Sequence, residues 1–174
     1  MLLYTTTLKD GRIVQIRRFR MEDKESFFRF HGSFSDEALL WGMPPYTREM
    51  LERNWFSRIE NVISFIALHE DRVVGHAQIL KFPHARRRGC GDLLMYLHQD
   101  FHNVGLGTAM MNRILELARK EGMHRIGLHV IADNTRSVHL YEKLGFKIEG
   151  VLQASYFGAD GKYHDELAMG LILA

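Results

Sequence analysis

Two hydrophobic periods alternate along this chain. Val62 to His69 is a nearly unbroken apolar run, and after the polar pair Glu70-Asp71 a second run, Val73 to Phe82, returns. Short apolar runs bounded by turn residues predict strands, and so short a polar break predicts a hairpin. Upstream, Ile13 to Ile16 predicts a short strand that Arg17 to Arg20 continue with charges. The period then lengthens. Met21-Glu22-Asp23 supplies acidic residues for a helix start, and Phe27, Phe28 and Phe30 supply its apolar face, with an end near Gly32. Residues 33–46 predict irregular chain, because Pro44-Pro45 cannot sit inside a helix. Thr47 then caps a second helix carrying Leu51, Trp55 and Ile59 at i, i+4 and i+8.

The second half repeats the alternation. Cys90 to Leu97 predicts a strand. Leu106, Met110, Ile114 and Leu117 fall on one buried stripe of a helix that Gly122 ends. Arg125 to Ile131 predicts a strand, and Asn134 to Leu144 a short helix closed by Gly145. Phe146 to Tyr156 and Lys162 to Leu173 predict a final hairpin around Gly158-Ala159-Asp160-Gly161. The order β-α-α-β-β-β-α-β-α-β-β predicts an α/β fold over residues 1–174: one domain, a mixed sheet and helices on both faces. The two strand-helix-strand crossovers predict parallel pairing with right-handed connections.

Composition narrows this only slightly. With 174 residues the chain can bury a sizeable core, and 46% apolar with 25% charged residues is ordinary for a globular domain. A net charge of +2 does not argue for nucleic acid. One cysteine, Cys90, excludes an internal disulfide and fits a reducing, cytoplasmic setting. Met1-Leu2-Leu3-Tyr4 turns polar quickly, without the apolar region of a signal peptide, and no apolar run approaches the ~20 residues of a membrane span. Ten histidines raise the question of metal, but none shows the H-x-x-x-H spacing on a helix with a carboxylate partner, so no metal site is expected.

The chemistry concentrates where the Cys90 to Leu97 strand becomes a helix. His98 to Gly122 reads HQDFHNVGLGTAMMNRILELARKEG. Glycine lets the backbone approach a bulky anion and adopt positive φ. A helix start adds unpaired N–H groups and a partial positive charge, so Gly105 and Gly107 predict a phosphate cradle. A Walker loop would need Gly-Lys-Ser/Thr, and Gly107 is followed by Thr108. A dinucleotide fingerprint would need a third glycine, where Met110 stands.

What remains, x-x-x-Gly-x-Gly opening a helix, resembles the acetyl-CoA pyrophosphate loop of the GNAT superfamily of N-acetyltransferases, with His102 where that family usually has Arg or Gln. Downstream, Leu128-His129-Val130-Ile131-Ala132-Asp133-Asn134, Ser137 and Leu140-Tyr141-Glu142-Lys143-Leu144-Gly145-Phe146 resemble the same family's second signature. The two signatures lie in order, about one helix and one strand apart. The likeness spans roughly residues 60–172, leaving 1–59 as the family's variable acceptor side. It implies acetyl-CoA as cosubstrate. The pantetheine would pair with the backbone at Tyr96-Leu97-His98, and the pyrophosphate would sit on amides of His102, Asn103, Val104, Gly105, Leu106, Gly107 and Thr108. Asn134 would touch the cosubstrate, and Tyr141 would lie beside the sulfur.

Acetyl transfer to an amine needs a neutral nucleophile, a donor to the oxyanion and a proton for the thiolate. The Leu97 amide is the candidate oxyanion donor and Tyr141 the candidate general acid. His129 is a candidate general base, since imidazole titrates near neutrality; Asp92, His98 and water are its rivals. Arg86-Arg87-Arg88 is read as a solvated turn and Cys90 as a small packed residue. Trp41 and Trp55 are candidates for the acceptor wall. The acceptor side is expected from residues 21–59 and the loop around Tyr156 to Tyr163. Its acidic pairs, Glu22-Asp23 and Asp36-Glu37, are read as caps. The expectation is an N-acetyltransferase acting directly on a primary amine: a small amine, an amino acid or a protein N-terminus. The alternative is a non-catalytic acyl-CoA-binding regulatory module on the same fold. Neither nucleic acid nor membrane is expected as a partner, and a homodimer through the C-terminal strands is a family expectation.

Overall fold

A computed structural model describes residues 3–173, with the side chains of 57–59 left aside. It contains an eight-stranded sheet: β1 (Tyr4–Thr7), β2 (Ile13–Arg18), β3 (Val62–His69), β4 (Arg72–Lys81), β5 (Cys90–Leu97), β6 (Arg125–Ile131), β7 (Lys147–Phe157) and β8 (Tyr163–Ile172). Five helices join them: α1 (Lys24–His31), α2 (Asp36–Leu39), α3 (Arg48–Asn54), α4 (Leu106–Lys120) and α5 (Thr135–Lys143). The strand order is β1-β2-β3-β4-β5-β6-β8-β7.

The sheet is mixed, with helices on both faces. On β3 the side chains alternate: Ile63, Phe65 and Ala67 join the core under α4, whereas Ile66 and Leu68 pack with Phe30 of α1. The α4 stripe forms as the spacing demands, with Leu106, Met110 and Ile114 each fully buried. Phe27, Phe28 and Leu51 form a separate cluster that ties α1 to α3.

Four expectations need correction. The N-terminal segment supplies an extra strand, β1, because a short, exposed, threonine-rich run carries almost no apolar signal. Residues 33–46 contain a helical turn, α2, whose start is capped by Ser35 accepting from the Ala38 N–H at 3.2 Å. The helix after Thr47 ends at Asn54; Trp55 is its C-cap and a 3-10 turn spans Phe56–Asn61, so the stripe does not run on to residue 59. Only one crossover yields a parallel pair, β5 with β6. The other fails because β8 inserts between β6 and β7 and pairs antiparallel with both.

The parallel pair is short. Cys90, Gly91 and Asp92 face Arg125, Ile126 and Gly127, and pairing stops there. Beyond it β5 stays with β4 as far as Leu97, and β6 stays with β8 as far as Ile131. The two halves of the sheet therefore part, opening a gap between their strand ends. A second irregularity lies across that gap. β7 and β8 shift register between Leu152 and Tyr156, where Ala154 takes φ +48° and its N–H donates to Asp165 Oδ1 at 2.8 Å. Such a bulge re-aims the residues that follow it, here Ser155 and Tyr156.

Candidate active site

Opposed residues on antiparallel strands alternate between bonded and non-bonded pairs. Phe82 N–H donates to Cys90 O at 3.0 Å and His98 N–H to Val74 O at 2.9 Å, so the even-numbered residues of β5 bond to β4. Met95 and Leu97 turn their N–H and C=O to the side of β6, and there β6 has already left. The Leu97 N–H thus points into the gap. The Leu97 carbonyl accepts from His102 Nε2 at 3.3 Å.

His102 is fixed from its other side as well. Arg136 Nη1, which can only donate, stands 2.5 Å from His102 Nδ1. Nδ1 is therefore the acceptor and the ring proton is on Nε2. Burial and the Arg136 charge both hold the His102 pKa below its usual value, so the ring is neutral. It locks the glycine loop to the end of β5 and holds a guanidinium over the loop.

The two glycines serve different ends. Gly105 is the N-cap of α4 at φ +94°, and the first helical bond runs from Ala109 N–H to Gly105 O at 3.1 Å. The N–H groups of Gly107 and Thr108, which line the cleft, precede that ladder and are left for an anion. Gly107 is buried inside the helix. A Cβ there would lie 3.1 Å from Leu140 Cδ2 and 3.2 Å from Leu97 Cδ1. Its smallness lets α4 close onto α5 and β5. Gly107→Val is therefore expected to lower unfolding stability by about 1–3 kcal/mol, measured by urea denaturation.

A cleft of about 660 Å³ runs along these features. Leu97, His102, Asn103, Gly105, Gly107, Thr108, Asn134 and Tyr141 all line it. Asn134 caps α5, its side chain accepting from Ser137 N–H at 3.3 Å. Tyr141 is 8% exposed and packs on Phe146 with ring centroids 5.7 Å apart. Burial pushes its phenol up to about 12, so it stays protonated. Three further candidates for the cosubstrate do not line this cleft. The His98 N–H is committed to β4, the Val104 carbonyl accepts from Lys9 N–H at 3.0 Å, and Leu106 is fully buried. Sequence reasoning passed over Lys9 and Arg136, which add cations to the cleft. Lys9 comes from the β1–β2 turn, which no local pattern connects to the glycine loop.

A second cavity, of about 910 Å³, meets the first at Leu39, Gly42, Tyr46 and Tyr96. Its walls come from α2, α3 and the segment between them, from Leu94 and Tyr96 on β5, and from Ser155 to Ala159 with Gly161. The Tyr156 hydroxyl donates to Gly42 O at 2.6 Å, tying the β7 bulge to the segment that roofs the cavity. Trp55 lines this cavity and Trp41 the first cleft. Of the acidic pairs, Asp23 is bound bidentately by Arg17 at 2.7 Å and Glu37 lines the cleft. His129 is exposed on β6, on the face away from α4, and borders neither cavity; nor does Asp92.

His164 clamps the rim. Its Nε2 lies 3.0 Å from Asp160 Oδ1, its Nδ1 2.6 Å from Asp133 Oδ2, and Trp41 stands edge-on at 5.4 Å. Asp160 and Asp133 raise the His164 pKa above its usual value. A pKa raised on folding gives stability that is full below the unfolded value, about 6.5, and lost as pH rises through the folded one. His164→Gln is accordingly expected to lower the urea midpoint near pH 6 and to change it least near pH 9. An equal effect at both would remove the charged clamp.

The profile described as the Acetyltransferase (GNAT) family matches residues 20–146. An uncharacterized N-acetyltransferase of Mycobacterium bovis is 33% identical over 84 residues, 48% of this chain and 52% of the relative, so the match spans about half that relative's length. An L-amino acid N-acetyltransferase of Escherichia coli is 28% identical over 160 residues, 91% of this chain and 98% of the relative. Among solved structures, the acetyltransferase of GNAT family from Streptococcus pneumoniae superposes with a TM-score of 0.79 at 25% identity, covering 92% of this chain and 99% of that one.

Proposed function

The chain belongs to the acetyltransferase (GNAT) family, and from that premise we propose that it is an acetyl-CoA-dependent N-acetyltransferase passing the acetyl group directly to a primary amine of a small molecule. The observation that carries the reading is the junction of the two cavities beside the open Leu97 amide, where thioester and amine can meet. The name of the Escherichia coli relative, matched over nearly all its length, supports a small-molecule amine as acceptor.

Acetyl-CoA supplies an activated thioester carbonyl, and the chain's own groups do the rest. The amides of Gly107 and Thr108 bind the pyrophosphate, with Lys9 and Arg136 adding positive charge. The N–H and C=O groups of Met95, which face the gap, pair with the pantetheine arm. The Leu97 N–H donates to the carbonyl oxygen as it gains charge when the amine attacks. Tyr141, kept protonated by burial, gives its proton to the departing thiolate, and the proton that the attacking nitrogen sheds on becoming the amide passes to water. A covalent acetyl-enzyme would need a nucleophile at the junction. The sole cysteine, Cys90, sits at the start of β5 and lines neither cavity.

A regulatory acyl-CoA binder would need the first cavity alone; the second gives a nucleophile its place. Initial-rate kinetics test the reading. Direct transfer predicts intersecting double-reciprocal lines when acetyl-CoA and amine are varied together. Parallel lines, the sign of an acetyl-enzyme, would contradict it.

A further inference from the structure

The two cavities differ in charge. The cosubstrate cleft sets Lys9, Arg136 and Lys143 against one carboxylate, Glu37, which suits a polyphosphate. Among the described residues lining the acceptor cavity, none is charged. Its larger walls are Tyr46, Trp55, Leu94, Tyr96, Tyr156 and Phe157. The polar atoms there are largely engaged. The Tyr156 hydroxyl donates to Gly42 O at 2.6 Å, the Tyr46 hydroxyl accepts from Met43 N–H at 2.8 Å, and Ser155 Oγ donates to Glu166 at 2.7 Å. Glu166 is a neighbour of Ser155 and does not itself line the cavity.

Resting on the acetyl-transfer reading, we propose that the acceptor is a primary amine on an apolar or aromatic body that carries no second charge. A polyamine would bring a second ammonium into walls that offer no carboxylate. A free amino acid would bring a carboxylate into walls that offer no lysine or arginine. Either charge would lose its water without gaining a partner. An uncharged body instead buries its apolar surface at about 25 cal/mol per Å². The reacting ammonium meets the same uncharged walls. Desolvation then disfavours its charged form, which helps release the neutral amine that must attack. At about 910 Å³ the cavity has room for a phenylalkylamine.

The test is the rate of CoA thiol release at saturating acetyl-CoA with 2-phenylethylamine, L-phenylalanine and spermidine. The first two differ only by a carboxylate; the third adds ammonium groups. The kcat/KM for 2-phenylethylamine is expected to exceed each of the others by at least about tenfold, the cost of one poorly compensated charge. Spermidine or L-phenylalanine matching it would overturn the acceptor class and leave acetyl transfer standing. Thiol release with none of the three, from protein that binds acetyl-CoA, would overturn both. Asn54→Asp adds a carboxylate to the wall with little change of shape. It is expected to shift the spermidine-to-phenylethylamine ratio upward at least about fivefold. An unchanged ratio would place the acceptor outside this cavity and overturn the proposal.

Discussion

Replacing Gly105 with valine is expected to weaken acetyl-CoA binding by at least about a hundredfold, the equivalent of one or two charge-assisted hydrogen bonds at about 1.5–3 kcal/mol each. Two effects combine. At φ +94° a β-branched residue is strained, so the N–H groups that follow turn away from their common point. The new side chain also fills the cradle. It would meet little else: the nearest protein atom to a Cβ at this position is Lys9 Cγ, 3.9 Å away. The fold should therefore tolerate the change better than binding does. Isothermal titration with acetyl-CoA measures the first, and a thermal melt the second. Gly107→Val gives the contrast, since its Cβ strikes packed side chains and stability falls. Wild-type affinity in Gly105→Val would remove the cradle.

Tyr141→Phe is expected to lower turnover by about 10²- to 10³-fold, the range of a lost general acid, with acetyl-CoA affinity changed no more than about threefold. Phenylalanine keeps the ring and its contact with Phe146, so the wall of the cleft is preserved. Only the proton at the end of the ring is lost. Burial matters to this assignment: it pushes the phenol up to about 12, so a proton is present across the working range. Equal losses in affinity and turnover would make Tyr141 a binding residue. Unaltered turnover would leave the thiolate to take its proton from water.

What could be read from the sequence was whatever is local. Gly105 and Gly107, Asn134 and Tyr141 lie in short motifs whose spacing alone sets a strand-to-helix turn or a helix cap. They line one cleft because α4 and α5 start at the same end of the sheet. The stripe from Leu106 to Leu117 was equally legible, since period alone decides it.

What could not be read depends on partners distant in the chain. The β1–β2 turn lays Lys9 on the glycine loop through a bond to Val104, about 95 residues away by the numbering. The insertion of β8 between β6 and β7 leaves no trace in the alternation of either strand. His129 illustrates the same limit. Its strand was legible, but where β6 would part from β5 was not, and that parting decides what the side chain reaches. The second cavity is the extreme case, assembled from α2, α3, β5 and the β7 bulge. One local signal was present even there: Ser35 ahead of the capping pair Asp36-Glu37 is a helix start, although Pro44-Pro45 marks the rest of that segment as irregular.

The most direct measurement is the stoichiometry of amine-dependent thiol release. Purified protein is given acetyl-CoA with and without 2-phenylethylamine, and free thiol and N-acetylated amine are counted together. The account predicts negligible thiol without the amine, and one acetylated amine for each thiol released with it. Thiol released at the same rate in the absence of amine, or without acetylated product, would contradict it.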